Sequence, residues 1–175
     1  MRSMIVAVVG ALLLAAPHAL AQADAWTVQR HADAGFRVES PTPMTLQESE
    51  ADENREMRMY TGRIGRLETV VGSLRSVGRR FSHRSDDQIA EDVTRSIAGK
   101  EQLIEGPLVI ADGAREFTFR NGDFVARVRI IVRARTVLLV GASAADGVDP
   151  ALLKSEDVQR FLDSVEALPG PESIV

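Results

Sequence analysis

Basic side chains gather in one short stretch of this chain, immediately before a predicted helix. They are Arg75, Arg79, Arg80, His83 and Arg84. The start of a helix presents free N–H groups and a partial positive charge, so cations beside it favour an anion, a phosphate group or an acidic partner. This basic cluster is therefore the candidate anion- or partner-binding site.

A second interpretation of the basic cluster is a solvated loop whose charges balance the carboxylates of the helix that follows. Those carboxylates are Asp86, Asp87, Glu91 and Asp92. Solvated charge runs are the commoner outcome in proteins, so both interpretations stay open. Arg127 and Arg129 on one strand face extend the basic cluster if that face lies nearby.

The sequence predicts no metal site and no cofactor. Beyond residue 21 the histidines are His31 and His83, which are far apart in the chain and are expected at the surface. The acidic segment 48–56 offers five carboxylates. It lacks the fixed spacing and central glycine of a calcium loop, so we expect a solvated loop.

No catalytic residue is predicted either. Ser82 and Ser85 lie close to His83, but neighbours in sequence rarely point at each other, and no Gly-x-Ser-x-Gly motif exists. We therefore expect a non-catalytic accessory or binding domain that engages a protein partner or an anionic ligand. A hydrolase-type enzyme with an unrecognised cleft site is the alternative, and an envelope-maintenance role with weak contacts is a third.

The first residues have the three-part pattern of a secretory signal. Arg2 precedes an apolar run over residues 5–16, and small residues at Ala19 and Ala21 suit a signal peptidase. The run is shorter than the ~20 residues that span a membrane as a helix. We expect residues 1–21 to be cleaved, which places the protein in the periplasm or, as second choice, outside the cell.

Charge and cysteine content narrow the function classes further. Cleavage removes one arginine and no acidic residue, which changes the formal net charge from −4 to −5. A mildly acidic protein is a poor candidate for nucleic-acid binding. The chain has no cysteine, which excludes disulfides and thiolate metal sites. No transmembrane segment is expected once the signal is removed.

Residues 22–175 have the length and composition of one domain, with a loose tail over 170–175. Alternating apolar residues predict strands in hairpin series, and Asn121-Gly122 is a strong hairpin turn signal. Ser85 and Gln88 have the spacing of a capping box, which predicts a helix, and Ser155 begins a second one. The predicted fold is α+β: an antiparallel β-sheet covered by amphipathic helices.

Four segments of the chain resemble one group of exported proteins. They are residues 35–41 (Gly-Phe-Arg-Val-Glu-Ser-Pro), 113–117 (Gly-Ala-Arg-Glu-Phe), 125–128 (Val-Ala-Arg-Val) and 158–165 (Val-Gln-Arg-Phe-Leu-Asp-Ser-Val). Together they look like the PsbP/Mog1-like α/β/α sandwich group. The resemblance covers most of the chain after the signal, and its motifs mark turns and core. It implies a sandwich fold and an accessory or binding role, because the group's best-known members are photosystem II subunits and binders of a small GTPase. It assigns no site residues here.

Overall fold

A computed structural model describes residues 25–52, 55–76, 84–133 and 136–168. The predicted signal peptide, residues 1–21, and the tail over 170–175 lie outside these residues. The strands are β1 Thr27–His31, β2 Phe36–Ser40, β3 Thr45–Asp52, β4 Arg55–Ile64, β5 Leu67–Ser76, β6 Gln102–Val109, β7 Arg115–Asn121, β8 Phe124–Arg133, β9 Thr136–Ala144 and β10 Glu166–Ala167. The helices are α1 Asp86–Ala98 and α2 Glu156–Ser164, and short 3₁₀ turns span Ala111–Gly113 and Pro150–Lys154.

Seven of the strands form one large antiparallel sheet, in the order β3-β4-β5-β9-β8-β7-β6. The nearly continuous apolar sequence of β9 predicts a central strand covered on both sides, and the structure confirms this. Every residue of β9 other than Leu139 is buried. A strand buried on both faces needs a cover on each side of its sheet, because exposed apolar surface is unfavourable in water.

A second sheet and a helix cover one face of the large sheet. β1, β2 and β10 form a three-stranded antiparallel sheet in the order β1-β2-β10. Phe36 and Val38 of β2 pack with Phe161 and Leu162 of α2 against Leu138 and its neighbours on the large sheet. The period-two spacing of Phe36 and Val38 predicts this shared face correctly.

Helix α1 covers the opposite face. Its Ile89 and Ile97 are buried with Phe117 and Phe119 of β7. The predicted capping box is confirmed: the Ser85 hydroxyl accepts a hydrogen bond from the Gln88 backbone N–H at 3.2 Å, and the Gln88 side chain accepts one from the Ser85 N–H at 3.0 Å. Neither α1 nor α2, the α-helices of the described ranges, is long and apolar enough to cross a membrane.

The predicted α+β class, a sheet covered by helices, is wrong, and so is the PsbP/Mog1-like α/β/α sandwich that the resemblance implies. The described part of the chain is mostly β, with 55% strand and 23% helix, and its ten strands form two antiparallel sheets accompanied by two α-helices. On the side of α2, a second sheet does much of the covering that we expected from helices.

Two segments account for this error. The acidic segment expected as a loop forms β3 and the start of β4. β3 is an edge strand, so charged side chains fit it and the apolar alternation that reveals other strands is missing. The apolar residues after Ser155 keep helical spacing as far as Leu168 and predict a helix of that length, but α2 ends at Ser164 and Glu166–Ala167 pairs with β2.

A group of charged side chains lies between the large sheet and the elements that cover it near α2. Glu116 of β7 accepts hydrogen bonds from Arg127 at 2.6 Å and from Arg129 at 2.8 Å. Arg129 also donates to the Leu162 carbonyl and to the Asp163 carboxylate at 2.9 and 2.8 Å. Glu116, Arg127 and Arg129 are mostly buried, whereas Asp163 is half-exposed, so the charges of the first three depend on their partners for solvation.

We therefore predict that Glu116→Gln destabilises the protein by about 3 kcal/mol, because it removes the carboxylate that the mostly buried Arg127 is paired with and leaves Arg129 with the half-exposed Asp163 alone. Urea denaturation measures this loss as a lower unfolding midpoint. Glu105→Gln, the same change at an exposed glutamate, should move the unfolding midpoint much less. Equal effects of the two changes would contradict the assigned role of Glu116.

Candidate functional site

The structure places two members of the predicted basic cluster apart. Arg75 reaches the turn between β1 and β2, on the face that the small sheet covers. Arg84 precedes α1 on the other face and forms an ion pair with Asp92 of that helix. Arg79, Arg80 and His83 lie outside the described residues, so the five-residue cluster stays a prediction.

Arg127 and Arg129 do not join Arg75. Arg127 and Arg129 are both bound to Glu116. Arg127 is opposite Ala142 of β9, and Ala142 is opposite Thr69 of β5. Thr69 is six residues along β5 from Arg75. Six residues of strand span about 20 Å. Arg127 and Arg129 therefore belong to the contact with α2 and not to a surface shared with Arg75.

Arg75 instead belongs to a set of polar and aromatic groups around the β1–β2 turn. We call this set the hairpin-turn cluster, and it consists of His31, Asp33, Ala34, Glu56, Arg58, Tyr60, Ser73 and Arg75. Two side-chain nitrogen atoms in the described ranges are buried without a hydrogen-bond partner, Nε2 of His31 and Nη2 of Arg75. Both lie at this turn. Buried polar atoms are usually paired, so two unpaired ones beside one turn point to a site where another molecule can supply acceptors.

The turn backbone packs directly on the Arg75 guanidinium. Gly35 has a φ of +75°, and a Cβ atom built on it would lie 2.8 Å from Nη2 of Arg75. The positive φ favours glycine, and a methyl group at this position would require the Arg75 guanidinium to shift. The predicted turn over residues 33–35, with glycine supplying the backbone freedom, is confirmed.

Ser73 fixes the same turn to the large sheet. Its hydroxyl donates a hydrogen bond to the Ala34 carbonyl at 2.5 Å, and Ser73 is 4% exposed. This bond satisfies the buried hydroxyl and holds the hairpin above β5. Arg75 is two residues further along β5, so its side chain lies on the same face as the hydroxyl.

Arg58 binds both carboxylates of the cluster. It donates to Oε1 of Glu56 from Nη2 at 2.6 Å and from Nε at 2.9 Å, and its Nη1 forms an ion pair with Asp33. Hydrogen bonding to Glu56 is the largest cause that raises the pKa of Arg58. Asp33 and Glu56 carry two negative charges, and Arg58 and Arg75 carry two positive ones. Both carboxylates bind Arg58, and Nη2 of Arg75 has no hydrogen-bond partner.

His31 lies between two aromatic rings. Its imidazole centroid is 4.3 Å from that of Tyr60 and 4.8 Å from that of Phe36. Burial lowers the pKa of His31 below its ordinary value, and the nearby charge of Asp33 opposes this in part. Burial also raises the pKa of Tyr60, whose hydroxyl donates to Asp33 at 3.4 Å. His31 is therefore kept neutral by its apolar surroundings at neutral pH.

The depression at this turn is shallow. It encloses about 140 Å³, including space open to solvent, and is too narrow in this conformation to hold a water molecule. The Asp33 side chain is 54% exposed at its rim. A ligand group can therefore reach Arg75 if Asp33 moves away, whereas a whole small-molecule substrate does not fit inside.

His31, expected at the surface, is half-buried with its Nε2 atom fully buried, and sequence analysis also missed Asp33 and Arg58 as its neighbours. His31 ends β1 and is covered because the whole hairpin packs on the large sheet. The available signal was weak: a histidine two residues before an Asp-Ala-Gly turn. The packing of one sheet on another is not visible in the strand pattern.

Within the residues that the structure describes, no group of three or more His, Asp or Glu side chains is placed to hold a metal ion. A comparison with protein-family models finds no match. A comparison with curated proteins finds no match either. The resemblance to the PsbP/Mog1-like group thus stays a prediction.

The buried state of His31 predicts a pH dependence of stability. The unfolded chain, with an ordinary histidine pKa of 6.5, takes up a proton more readily than the folded protein. The contribution of His31 to the free energy of unfolding is therefore present above that pKa and is lost as the pH falls below it.

His31→Phe keeps a ring between Phe36 and Tyr60 but cannot take up a proton. We expect the free energy of unfolding to fall less in this variant than in the parent between about pH 7.5 and about pH 5.5. Urea denaturation at the two pH values measures both losses. The same loss in parent and variant would show that His31 titrates normally in the fold.

Proposed function

We propose that this protein is a non-catalytic binding module that takes an anionic group, a carboxylate or a phosphate, at Arg75. The observation that carries the proposal is the buried Nη2 atom of Arg75, which has no hydrogen-bond partner. Leaving a buried charged donor unpaired is unfavourable by roughly 1–3 kcal/mol or more. An anionic oxygen beside Nη2 would remove that cost and form a charge-assisted hydrogen bond.

The arrangement of Asp33 and Arg58 suggests how the ligand enters. Asp33 is half-exposed and is held by Arg58 at the rim of the depression. An incoming carboxylate or phosphate can replace the Asp33 carboxylate on Arg58 and reach Arg75 behind it. Two guanidinium groups would then face the ligand, with Glu56 as the remaining counter-charge. Guanidinium groups suit both carboxylate and phosphate oxygens geometrically.

The hydrolase alternative finds less support in this cluster. Ser73 is the serine that lines the depression, and its buried hydroxyl is already donated to the Ala34 carbonyl. A serine nucleophile would instead have to donate to a base such as His31, whose Nε2 atom has no partner. Binding therefore requires only that the exposed Asp33 carboxylate moves, while catalysis would also require the buried Ser73 hydroxyl to leave its acceptor.

We also propose that the module acts in the periplasm, as an accessory domain of the cell envelope. Residues 1–21 have the pattern of a cleavable signal, and the chain has no cysteine to form a disulfide or a thiolate site. The ligand would then be a group available in that compartment, on a partner protein or on a free molecule.

Phosphate and acetate are suitable probes for the anion site, since they carry the two candidate groups. We expect the parent to bind at least one of them with a dissociation constant of about 1 mM, measured by the shift of backbone amide resonances at residues 33–35. Arg75→Gln should weaken this binding about tenfold or more, because a charge-assisted hydrogen bond is lost. Arg30→Gln, an equal charge change at an exposed arginine of β1, should not.

A second pair of variants tests the close approach at the turn. Gly35→Ala places a methyl group against Nη2 of Arg75, whereas Gly65→Ala imposes a similar backbone strain with no atom within 4 Å. We expect weaker anion binding in the first variant alone. No binding by the parent, or equal binding by Arg75→Gln and the parent, would overturn the proposal.

Export is tested separately. The full chain expressed in a bacterium with a periplasm should be recovered from the periplasmic fraction with Gln22 as its first residue, which mass spectrometry of the intact protein establishes. An Ala19→Arg, Ala21→Arg variant should remain uncleaved, because a signal peptidase requires small residues at these positions. Recovery of the parent in the cytoplasm with residues 1–21 attached would contradict the proposed location.

A further inference from the structure

The last described residue of the chain lies beside the hairpin-turn cluster. β10 pairs antiparallel with β2, with Ala167 opposite Phe36. Leu168 continues this pairing, because its backbone N–H donates a hydrogen bond to the Gly35 carbonyl at 2.8 Å. In an antiparallel pair the two strands run in opposite directions, so the chain passes Leu168 on the way towards the β1–β2 turn.

Gly35 brings Leu168 close to the unpaired donor of Arg75. The Gly35 carbonyl accepts the Leu168 N–H, and a Cβ atom built on Gly35 would lie 2.8 Å from Nη2 of Arg75. The atoms of one glycine are only a few bond lengths apart, so the Leu168 nitrogen lies within about 10 Å of Nη2. The residues that follow Leu168 therefore start next to the proposed anion site.

These following residues combine a turn signal with a carboxylate. Residues 169–172 are Pro-Gly-Pro-Glu, and Glu172 is the one charged residue among 169–175. Proline and then glycine at the two central positions are typical of a type II turn, in which the first and fourth Cα atoms are less than about 7 Å apart. The sequence thus predicts that the chain turns back beside Gly35 and that Glu172 follows this turn.

Glu172 can reach Arg75 with or without that turn. It is four residues beyond Leu168, and four residues of extended chain span up to about 13 Å. This exceeds the separation between the Leu168 nitrogen and Nη2 of Arg75 even before the glutamate side chain is added. The Asp33 carboxylate, which is half-exposed at the rim, has to move aside for Glu172 as it does for any other anion.

The carboxylates within the hairpin-turn cluster are already in use. Asp33 and Glu56 both bind Arg58, and Nη2 of Arg75 has no hydrogen-bond partner. A guanidinium group and a carboxylate form charge-assisted hydrogen bonds, so a glutamate tethered nearby suits this donor. Pairing with Glu172 would satisfy the buried nitrogen without a ligand from outside the chain.

We propose that Glu172 occupies the anion site by pairing with Arg75, as an autoinhibitory contact that an anionic ligand displaces. This inference rests on the proposed function, because both use the same donor. A short tether gives an effective concentration of the order of 1 mM, comparable with the dissociation constant expected for a small anion. Glu172 and free anions therefore share the site. A single ion pair is compatible with the loose tail predicted for residues 170–175.

Binding of acetate and phosphate to protein purified after expression of the full chain measures this competition. We expect Glu172→Gln to bind these anions about threefold more tightly than the parent, because the tethered competitor is removed. The amide resonances of residues 33–35 report the binding. Glu156→Gln, the same change at an exposed glutamate of α2, should leave the affinity unchanged.

The outcomes separate the two proposals. Equal affinities of Glu172→Gln and the parent would overturn the autoinhibitory contact and leave the anion site in place. No binding by either protein would overturn both.

The contact is also measurable without added anion, in a buffer free of carboxylate and phosphate. Glu172→Gln should shift the amide resonances of residues 33–35. In an Arg75→Gln background the same change should shift them little, because the partner is already gone. Equal shifts in both backgrounds, or no shift in either, would contradict pairing between Glu172 and Arg75. This readout needs no external ligand, so it distinguishes a failed contact from failed ligand binding.

A second copy of the chain is the other possible source of the carboxylate. A tethered Glu172 acts at a concentration set by its own linker, so the shift caused by Glu172→Gln should be the same at about 50 µM and about 500 µM protein. A shift that grows with protein concentration would place Glu172 on another copy and overturn the contact within one chain.

Discussion

The constraint that organises this protein is that its large sheet is apolar on both faces. β9 lies at the centre and presents Leu138 and Val140 to one side and Val137 and Leu139 to the other. Neither face can be left in water, since burial of apolar surface is the main favourable term in folding. The chain meets this requirement with α1 on one side, and with the small sheet and α2 on the other. The positions of the remaining groups follow from these two coverings.

Glu116 shows how a polar contact can fix an otherwise apolar packing. The apolar contacts of Phe161 and Leu162 are non-directional and hold α2 on the sheet without setting its exact position. The hydrogen bonds from Arg129 to Glu116, to the Leu162 carbonyl and to Asp163 are directional and join the sheet to the end of the helix. A shift of α2 along the sheet would break them and leave mostly buried charges unpaired.

The hairpin-turn cluster is a consequence of the same covering. Because the small sheet packs on the large one, its β1–β2 turn descends onto polar residues at the end of β5, where Gly35 contacts Arg75. Ser73 finds an acceptor in the turn, but Nη2 of Arg75 does not. The polar end of β5, covered by the hairpin, thus keeps a buried donor without an acceptor, and the proposed anion site is based on this donor.

Local signals in the sequence determined much of the secondary structure. The Ser85 capping box, the Asn121-Gly122 hairpin and the central position of β9 depend on residues close together in the chain, and each was predicted correctly. The strand character of β3 and the early end of α2 were not. Edge strands need no apolar alternation, and β10 forms because β2 offers it a pairing partner.

The site was decided by tertiary structure. Sequence analysis picked out Arg75 for its basic neighbours, but it gave His31 a place at the surface and could not bring Asp33 or Arg58 to Arg75. These residues come from three separate strands and a turn, and they meet because one sheet packs on another. Whether a charge in the sequence is solvated, paired or left with an unmet hydrogen bond depends on that packing, since desolvation is a property of the folded surroundings and not of the residue.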